Sequence, residues 1–375
     1  MKRAQWFLGF CIVAMLLASA ISLKLQAGQT PSYPSSSYRV LVPLSSGNLL
    51  IFPVVTKSEM DTSMFITLDE GLRSGEVVVT ESGSVQPLIR RRRPMPRHDG
   101  AQVNTLMLVN NSKRPLLLLA GEIVTGGKQD RVIAKDRIVP AESDPVDLGV
   151  FCVEPGRWTA RTEKFGGFAG IAQPNVRANA MARKDQQQVW SAVNDSKARV
   201  MQNVPEAAPE VGRTSSYAAA MENESVQREL DKIEAPIRKN YQSLMKELRA
   251  KNAVGVVVAV NGQILWADIF ASNELLAKYW PKLVRSYAAE AMTQGTGGGR
   301  VTESEAQMFV NRLDGTHETA ETEPGLYRHA EITGGDYKVF ELTSLLPRTN
   351  FTVHLAKMKE DQVAWNVKPR PMMQR

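Results

Sequence analysis

The chain has 375 residues, 43% of them hydrophobic and 23% charged, a composition that fits a folded globular protein and excludes a disordered or collagen-like one. That length has room for about two domains. The formal net charge is +7, and no internal apolar run is long enough to be a membrane span, which excludes a multispan transporter.

The first residues read as an export signal. Lys2 and Arg3 precede an uncharged apolar run from Trp6 to Ala18, and Ala18-Ser19-Ala20 has the form of a small-residue cleavage site. Residues 1–20 are expected to act as a signal peptide. The alternative is an uncleaved inner-membrane anchor over residues 6–23, at the lower limit of a bilayer span. Either way the body is expected to be exported, periplasmic or extracellular. Residues 21–37, rich in Pro and Ser, read as a flexible tether. Cleavage leaves Cys152 as the one cysteine, so no disulfide is expected.

From Tyr38 the pattern is β. Tyr38 to Leu44 and Leu49 to Thr56 flank the turn Ser45-Ser46-Gly47-Asn48. A short helix is predicted at Leu68 to Arg73, then strands at Val77 to Thr80, Val103 to Val109, Pro115 to Ala120, Asp130 to Val139 and Val146 to Val153. Between them, Arg90, Arg91, Arg92 and Arg93 concentrate the positive charge in a proline-flanked loop. It suits contact with an anionic surface; it lacks the aromatic residues that would serve a specific nucleic acid, and a solvated loop is the plainer reading. Residues 202–216 contain Pro205, Pro209 and Gly212 and read as a linker. Val226, Leu230, Ile233, Ile237, Tyr241, Leu244 and Leu248 recur three or four apart and mark one helical face. Asn261-Gly262 between apolar runs signals a hairpin, because both turn residues need positive φ. Ser272 is placed to cap a helix from Asn273 to about Thr293. Thr302 and Glu305 form a capping box. The expected fold class is α+β, with a β-rich N-terminal half (38–160) followed by a mixed helix and hairpin region (222–293). Residues 301–360 are expected to form a smaller α/β C-terminal region, and 361–375 a tail.

The densest polar text follows a buried-looking strand: Gly121-Glu122, then Gly126-Gly127-Lys128-Gln129-Asp130-Arg131. The two glycines allow close backbone approach and can aim N–H groups at an anion. Lys128 and Arg131 suit that anion; Glu122 and Asp130 suit a base or a hydroxyl acceptor. This is no P-loop: Lys128 stands one place late, and Gln129 occupies the Ser or Thr position. The structural alternative is a tight turn with a surface ion pair. A second cluster, Glu154, Arg157 and Trp158, follows Val146 to Val153. There Arg157 suits a carboxylate or phosphate and Trp158 suits a ring, or the group simply closes the domain. Cys152 shares a face with Val146, Leu148 and Val150, which points its thiol into the core. No histidine pair has zinc-ligand spacing, so neither a metal nor another cofactor is called for.

Together these segments, with Val139-Pro140-Ala141, Gln188-Val189-Trp190 and the Gly262 to Phe270 strand before Tyr279-Trp280, resemble the ARG-and-rhodanese-phosphatase-superfamily-associated protein domain. The resemblance spans about 38–293, and the Gly126 to Arg131 block is its most specific part. The family's function is not established; its association with ADP-ribosylglycohydrolase-type and phosphatase-type domains implies a nucleotide-like ligand.

Three functions fit this reading. The first is a binding module for a small anionic or sugar-bearing ligand, held by Gly126, Gly127, Lys128, Gln129, Arg131, Arg157 and Trp158. The second is a hydrolase of glycosides or phosphodiesters using two of Glu122, Asp130 and Glu154, which needs both carboxyls in one cleft. The third is an envelope scaffold that recruits a protein partner. The first two require the two polar clusters to meet in space.

Overall fold

Asn261 and Gly262 adopt φ of +51° and +76°, as a two-residue hairpin turn requires. The flanking strands Ala253–Val260 and Gln263–Phe270 pair antiparallel. The computed structural model of the chain, which describes residues 38–82, 104–247 and 253–360, builds its largest sheet around this hairpin. The expected signal peptide or anchor, the tether, Arg90 to Arg93 and the tail lie outside the described residues. Ala253–Val260 is buried throughout because it is central: Leu49–Thr56 pairs along its other side, followed by Tyr38–Val40 and Leu44–Ser46. Beyond Gln263–Phe270 come Thr352–Lys359, Tyr337–Ser344, Tyr327–Thr333 and Thr316–Glu323, each antiparallel to the last. Among the described residues this sheet has nine strands. Gln307 covers the Tyr38–Val40 edge. It accepts from the Val40 N–H at 2.8 Å and donates to the Tyr38 carbonyl at 3.1 Å.

Residues 301–360, expected as a smaller region, therefore supply four strands of this same sheet. The glycine-rich stretch before them is a close crossing of backbone, not a boundary. A Cβ on Gly262 would meet the Gly299 Cα at 2.3 Å.

The rest of the β-rich half forms a second, smaller unit. Gly166–Ile171, Glu122–Thr125, Arg131–Ile133, Val146–Cys152, Thr105–Asn110 and Val77–Glu81 pair in that order. The two ends meet where Thr80 bridges Lys164 and the Phe165 N–H donates to the Val79 carbonyl at 2.9 Å. The sheet so closes into a barrel around Val79, Leu106, Leu108, Val124, Ile133, Val150 and Phe165. Arg137–Val139, Leu116–Leu118 and Ile66–Thr67 form a three-stranded sheet on the same core.

Helices fill the remaining space. Asn273–Gln294, capped by the Ser272 hydroxyl at 3.1 Å from the Leu275 N–H, is buried on nearly every side. Its Leu276, Leu283 and Tyr287 join the large-sheet core, while Ala288, Ala289 and Met292 join a second core with the helices Gln186–Asn203 and Glu224–Glu247. The expected linker at 202–216 is helical in part: Pro205–Ala207 is a 3-10 turn and Ala208–Val211 a short helix. Pro205 and Pro209 sit in first-turn positions, where the missing N–H has no partner to lose, so they open these turns.

Candidate functional site

Arg131 and Cys152 are opposite one another on paired strands. The residues just beyond them, Gln129-Asp130 and Val153-Glu154, are thereby brought together. The Asp130 N–H donates to Glu154 Oε2 at 3.0 Å, and Gln129 Nε2 donates to the Glu154 carbonyl at 3.2 Å. Arg157 Nη2 lies 2.5 Å from Glu154 Oε2 and 3.5 Å from Asp130 Oδ1. The same guanidinium donates to the carbonyls of Gly126, Gly127 and Thr159. Ser216 Oγ donates to Asp130 Oδ2 at 2.6 Å while accepting from the Ala219 N–H, which caps the helix Tyr217–Glu222. Lys128 Nζ stands 5.0 Å from the Trp158 ring centre. The Gly126 to Arg131 and Glu154 to Trp158 stretches thus meet, and a third stretch ending at Ser216 joins them.

Environment moves the two carboxyls apart. Burial raises the Asp130 pKa, and the Glu154 charge adds to it against the Ser216 and Gly126 hydrogen bonds. Burial also opposes ionisation of Glu154, but Arg157, the Asp130 N–H and Arg161 together hold it below the usual range.

Other expected site residues have different work. Gly126 and Gly127 do have positive φ, +124° and +47°, but the close approach is by the chain itself. A Cβ on Gly126 would meet Thr162 Oγ1 at 2.5 Å, and one on Gly127 the Phe165 ring at 2.2 Å. Their N–H groups point to Asp130 Oδ1 and Thr162 Oγ1, and that of Lys128 to Glu81 Oε1. The open anion nest expected here is filled by the protein's own acceptors. Glu122 bonds elsewhere: Oε1 pairs with Lys282 at 2.5 Å, and Oε2 accepts from the Leu119 N–H at 2.8 Å. Lys282 also pairs with Asp69 at 2.9 Å. This clamp joins the barrel to the helix Asn273–Gln294, away from the Asp130–Glu154 pair. Arg131 is fully buried, on the same strand face as Ile133 of the barrel core. Cys152 is fully buried beside it, and burial pushes its thiol up.

Next to the Asp130–Glu154–Arg157 knot is a cleft of about 410 Å³, lined by Glu154, Arg157, Arg161, Glu210, Arg213, Thr214 and Ser215. Arg161 reaches Glu154 Oε1 at 3.2 Å with 55% of its side chain exposed. Lys128 and Trp158 are not part of this lining. Sequence reasoning missed Arg161, Glu210, Arg213, Thr214 and Ser215. Reading 202–216 as a linker hid four of them, although Ser215-Ser216 ahead of an Ala-rich run was a usable helix-cap signal.

Residues 37–358 match the family model of the ARG and Rhodanese-Phosphatase-superfamily-associated Protein domain. The chain belongs to this family. No curated protein and no solved structure matches it. The family domain extends well past residue 293, through the last strand of the large sheet, and takes in the knot, the cleft and one more polar cluster.

That cluster ties the family domain's two β units together and had no local signature in the sequence. Arg177 Nη1 and Nη2 donate to Asp268 Oδ2 and Oδ1 at 2.9 and 3.1 Å. His354 Nε2 lies 3.2 Å from Asp268 Oδ1, and Nδ1 lies 2.5 Å from Asp136 Oδ2. The Tyr287 hydroxyl donates to Asp268 as well. All four charged side chains are fully buried. Burial opposes a charge on His354, but Asp136 and Asp268 raise its pKa to about 9. Fully buried and paired on every side named, the cluster acts as a cross-brace between the units.

Proposed function

We propose that this protein is an exported binding module whose cleft between residues 154–161 and 210–215 takes a small anionic or sugar-bearing ligand. The observation that carries this reading is the convergence of stretches remote in sequence on a shallow, open, guanidinium-rich cleft. The opposed pKa shifts of Asp130 and Glu154 are what an acid–base pair needs, yet both carboxylates are already committed. Asp130 Oδ1 holds the Gly126 N–H and Oδ2 holds Ser216; Glu154 Oε2 holds the Asp130 N–H and Oε1 holds Arg161. Arg157 bridges the two, where a hydrolase would seat water or substrate. Binding is therefore favoured over hydrolysis.

The test is isothermal calorimetry with a panel of neutral sugars, nucleosides and sugar phosphates. At least one should bind saturably, and Ser215→Trp, which fills the cleft, should abolish that binding while leaving the melting temperature unchanged. Silence across the whole panel, or undiminished binding by the filled variant, rules the reading out.

A further inference from the structure

The hydrogen-bonding capacity of the cleft is one-sided. Its main acceptors are engaged. Glu154 Oε1 accepts from Arg161, and Oε2 from Arg157 and the Asp130 N–H. Glu210 Oε2 accepts from Asn223 while its exposed Oε1 stays open to solvent, and the Thr214 carbonyl accepts from Lys197. Thr214 Oγ1 accepts from the Ser216 N–H at 3.1 Å, which leaves its own hydrogen free to be donated. Of the donors, Arg157 is committed through both terminal nitrogens, but the others are open or only partly used. Among the described residues, Arg213 is exposed and has no ion-pair partner, and the Ser215 hydroxyl has no hydrogen bond. Arg161, more than half exposed, shares one oxygen of a carboxylate that Arg157 already neutralises.

An occupant that only accepts hydrogen bonds completes this arrangement, and one rich in donors does not. Charge points the same way: the lining holds Arg157, Arg161 and Arg213 against Glu154 and Glu210. Shape narrows the class. A planar carboxylate is satisfied by the fork of one guanidinium. Here the donors stand on two walls, Arg161 on one and Arg213, Thr214 and Ser215 on the other, so oxygens pointing in several directions are needed. We infer that the cleft takes a tetrahedral oxyanion, the phosphoryl or sulfuryl end of its ligand, contacted by Arg161, Arg213, Thr214 and Ser215 over a fixed Arg157. This rests on the cleft being the ligand site and adds which chemical group it selects.

Titrating the full chain with inorganic phosphate, pyrophosphate, sulfate and acetate, at an ionic strength fixed with chloride, tests it. Phosphate, pyrophosphate or sulfate should bind saturably and acetate at least tenfold more weakly. Arg161→Ala and Arg213→Ala should each weaken that binding by about tenfold or more, with Arg213→Lys recovering part of the loss. Lys239→Ala, an exposed charge on another helix, should leave it unchanged. Phosphate binding that tightens as pH rises through its second ionisation indicates the phosphoryl group; equal or tighter sulfate binding indicates the sulfuryl group. Acetate binding as tightly as phosphate overturns the inference, as does unaltered affinity in both arginine variants. If none of these anions binds but a neutral sugar does, and Ser215→Trp abolishes that, the oxyanion inference falls and the cleft reading stands. If nothing binds at all, both fall.

Discussion

Arg157 holds the candidate site together with a single side chain, donating to the carbonyls of Gly126, Gly127 and Thr159 and pairing with Asp130 and Glu154. Both carboxylates are nearly inaccessible, at 2% and 1%. Removing the cation leaves them buried and underpaired, which is much costlier than losing a surface pair. Arg157→Met keeps most of the stem and removes the charge. It should cost about 3 kcal/mol, the lower end for breaking a buried pair because Arg161 still reaches Glu154. The variant should also recover stability on acidification. Asp130 already sits above its ordinary value through burial, and losing Arg157 raises it further. A carboxyl with a raised folded pKa binds protons more readily in the folded state, so stability rises as pH falls towards that pKa. Urea denaturation at pH 7 and pH 5 measures both effects; a loss below about 1 kcal/mol at pH 7 would show that Arg157 is not the fastener argued here.

The barrel, the large sheet and the helix Pro174–Ala178 each contribute to the Asp136–His354–Asp268–Arg177 cluster. Its pH dependence follows from His354. A base whose folded pKa is raised stabilises fully below its unfolded value near 6.5, and that contribution is lost as pH climbs through the folded value. With the latter at about 9, the loss falls between pH 6.5 and 9 and is on the order of 3 kcal/mol. Lys357 acts with the opposite sign in an overlapping window, from about pH 7 to 10.5, because burial lowers its pKa to about 7. The clean measurement is therefore the difference in unfolding free energy between the wild type and His354→Gln across pH 6 to 10. That difference should shrink as pH rises, and a flat one defeats the assignment. Asp268 is held well below the usual carboxylate range by Arg177 and His354, against burial. Its contribution disappears only in strong acid.

Across the whole molecule, what was legible in the sequence was local. The Asn261-Gly262 turn, the Ser272 cap and the Thr302–Glu305 box each depend on neighbours in the chain, and all three are present. The meeting of Asp130 with Glu154 was also readable in part, because each flanks an apolar strand run. Long-range closures were not readable. The barrel seam joins Thr80 to Lys164 in a segment without alternation, Glu122 finds Lys282 across 160 positions, and the glycines before residue 301 mark a crossing that looks like a boundary. That last misreading has a testable consequence. A chain cut after residue 300 keeps the hairpin but strips Thr352–Lys359 from the flank of Gln263–Phe270. It also removes Val353, Leu342 and Phe340 from the core that packs Trp266 and Phe270, the Gln307 cover of the opposite edge and the His354 link to Asp268. Exposed apolar strands with an open edge favour aggregation over folding. The cut chain should therefore be insoluble or unfold without a cooperative transition, unlike the full chain. Cooperative, wild-type-like urea unfolding of the chain ending at residue 300 would show that the last four strands are an appendage and not half of the sheet.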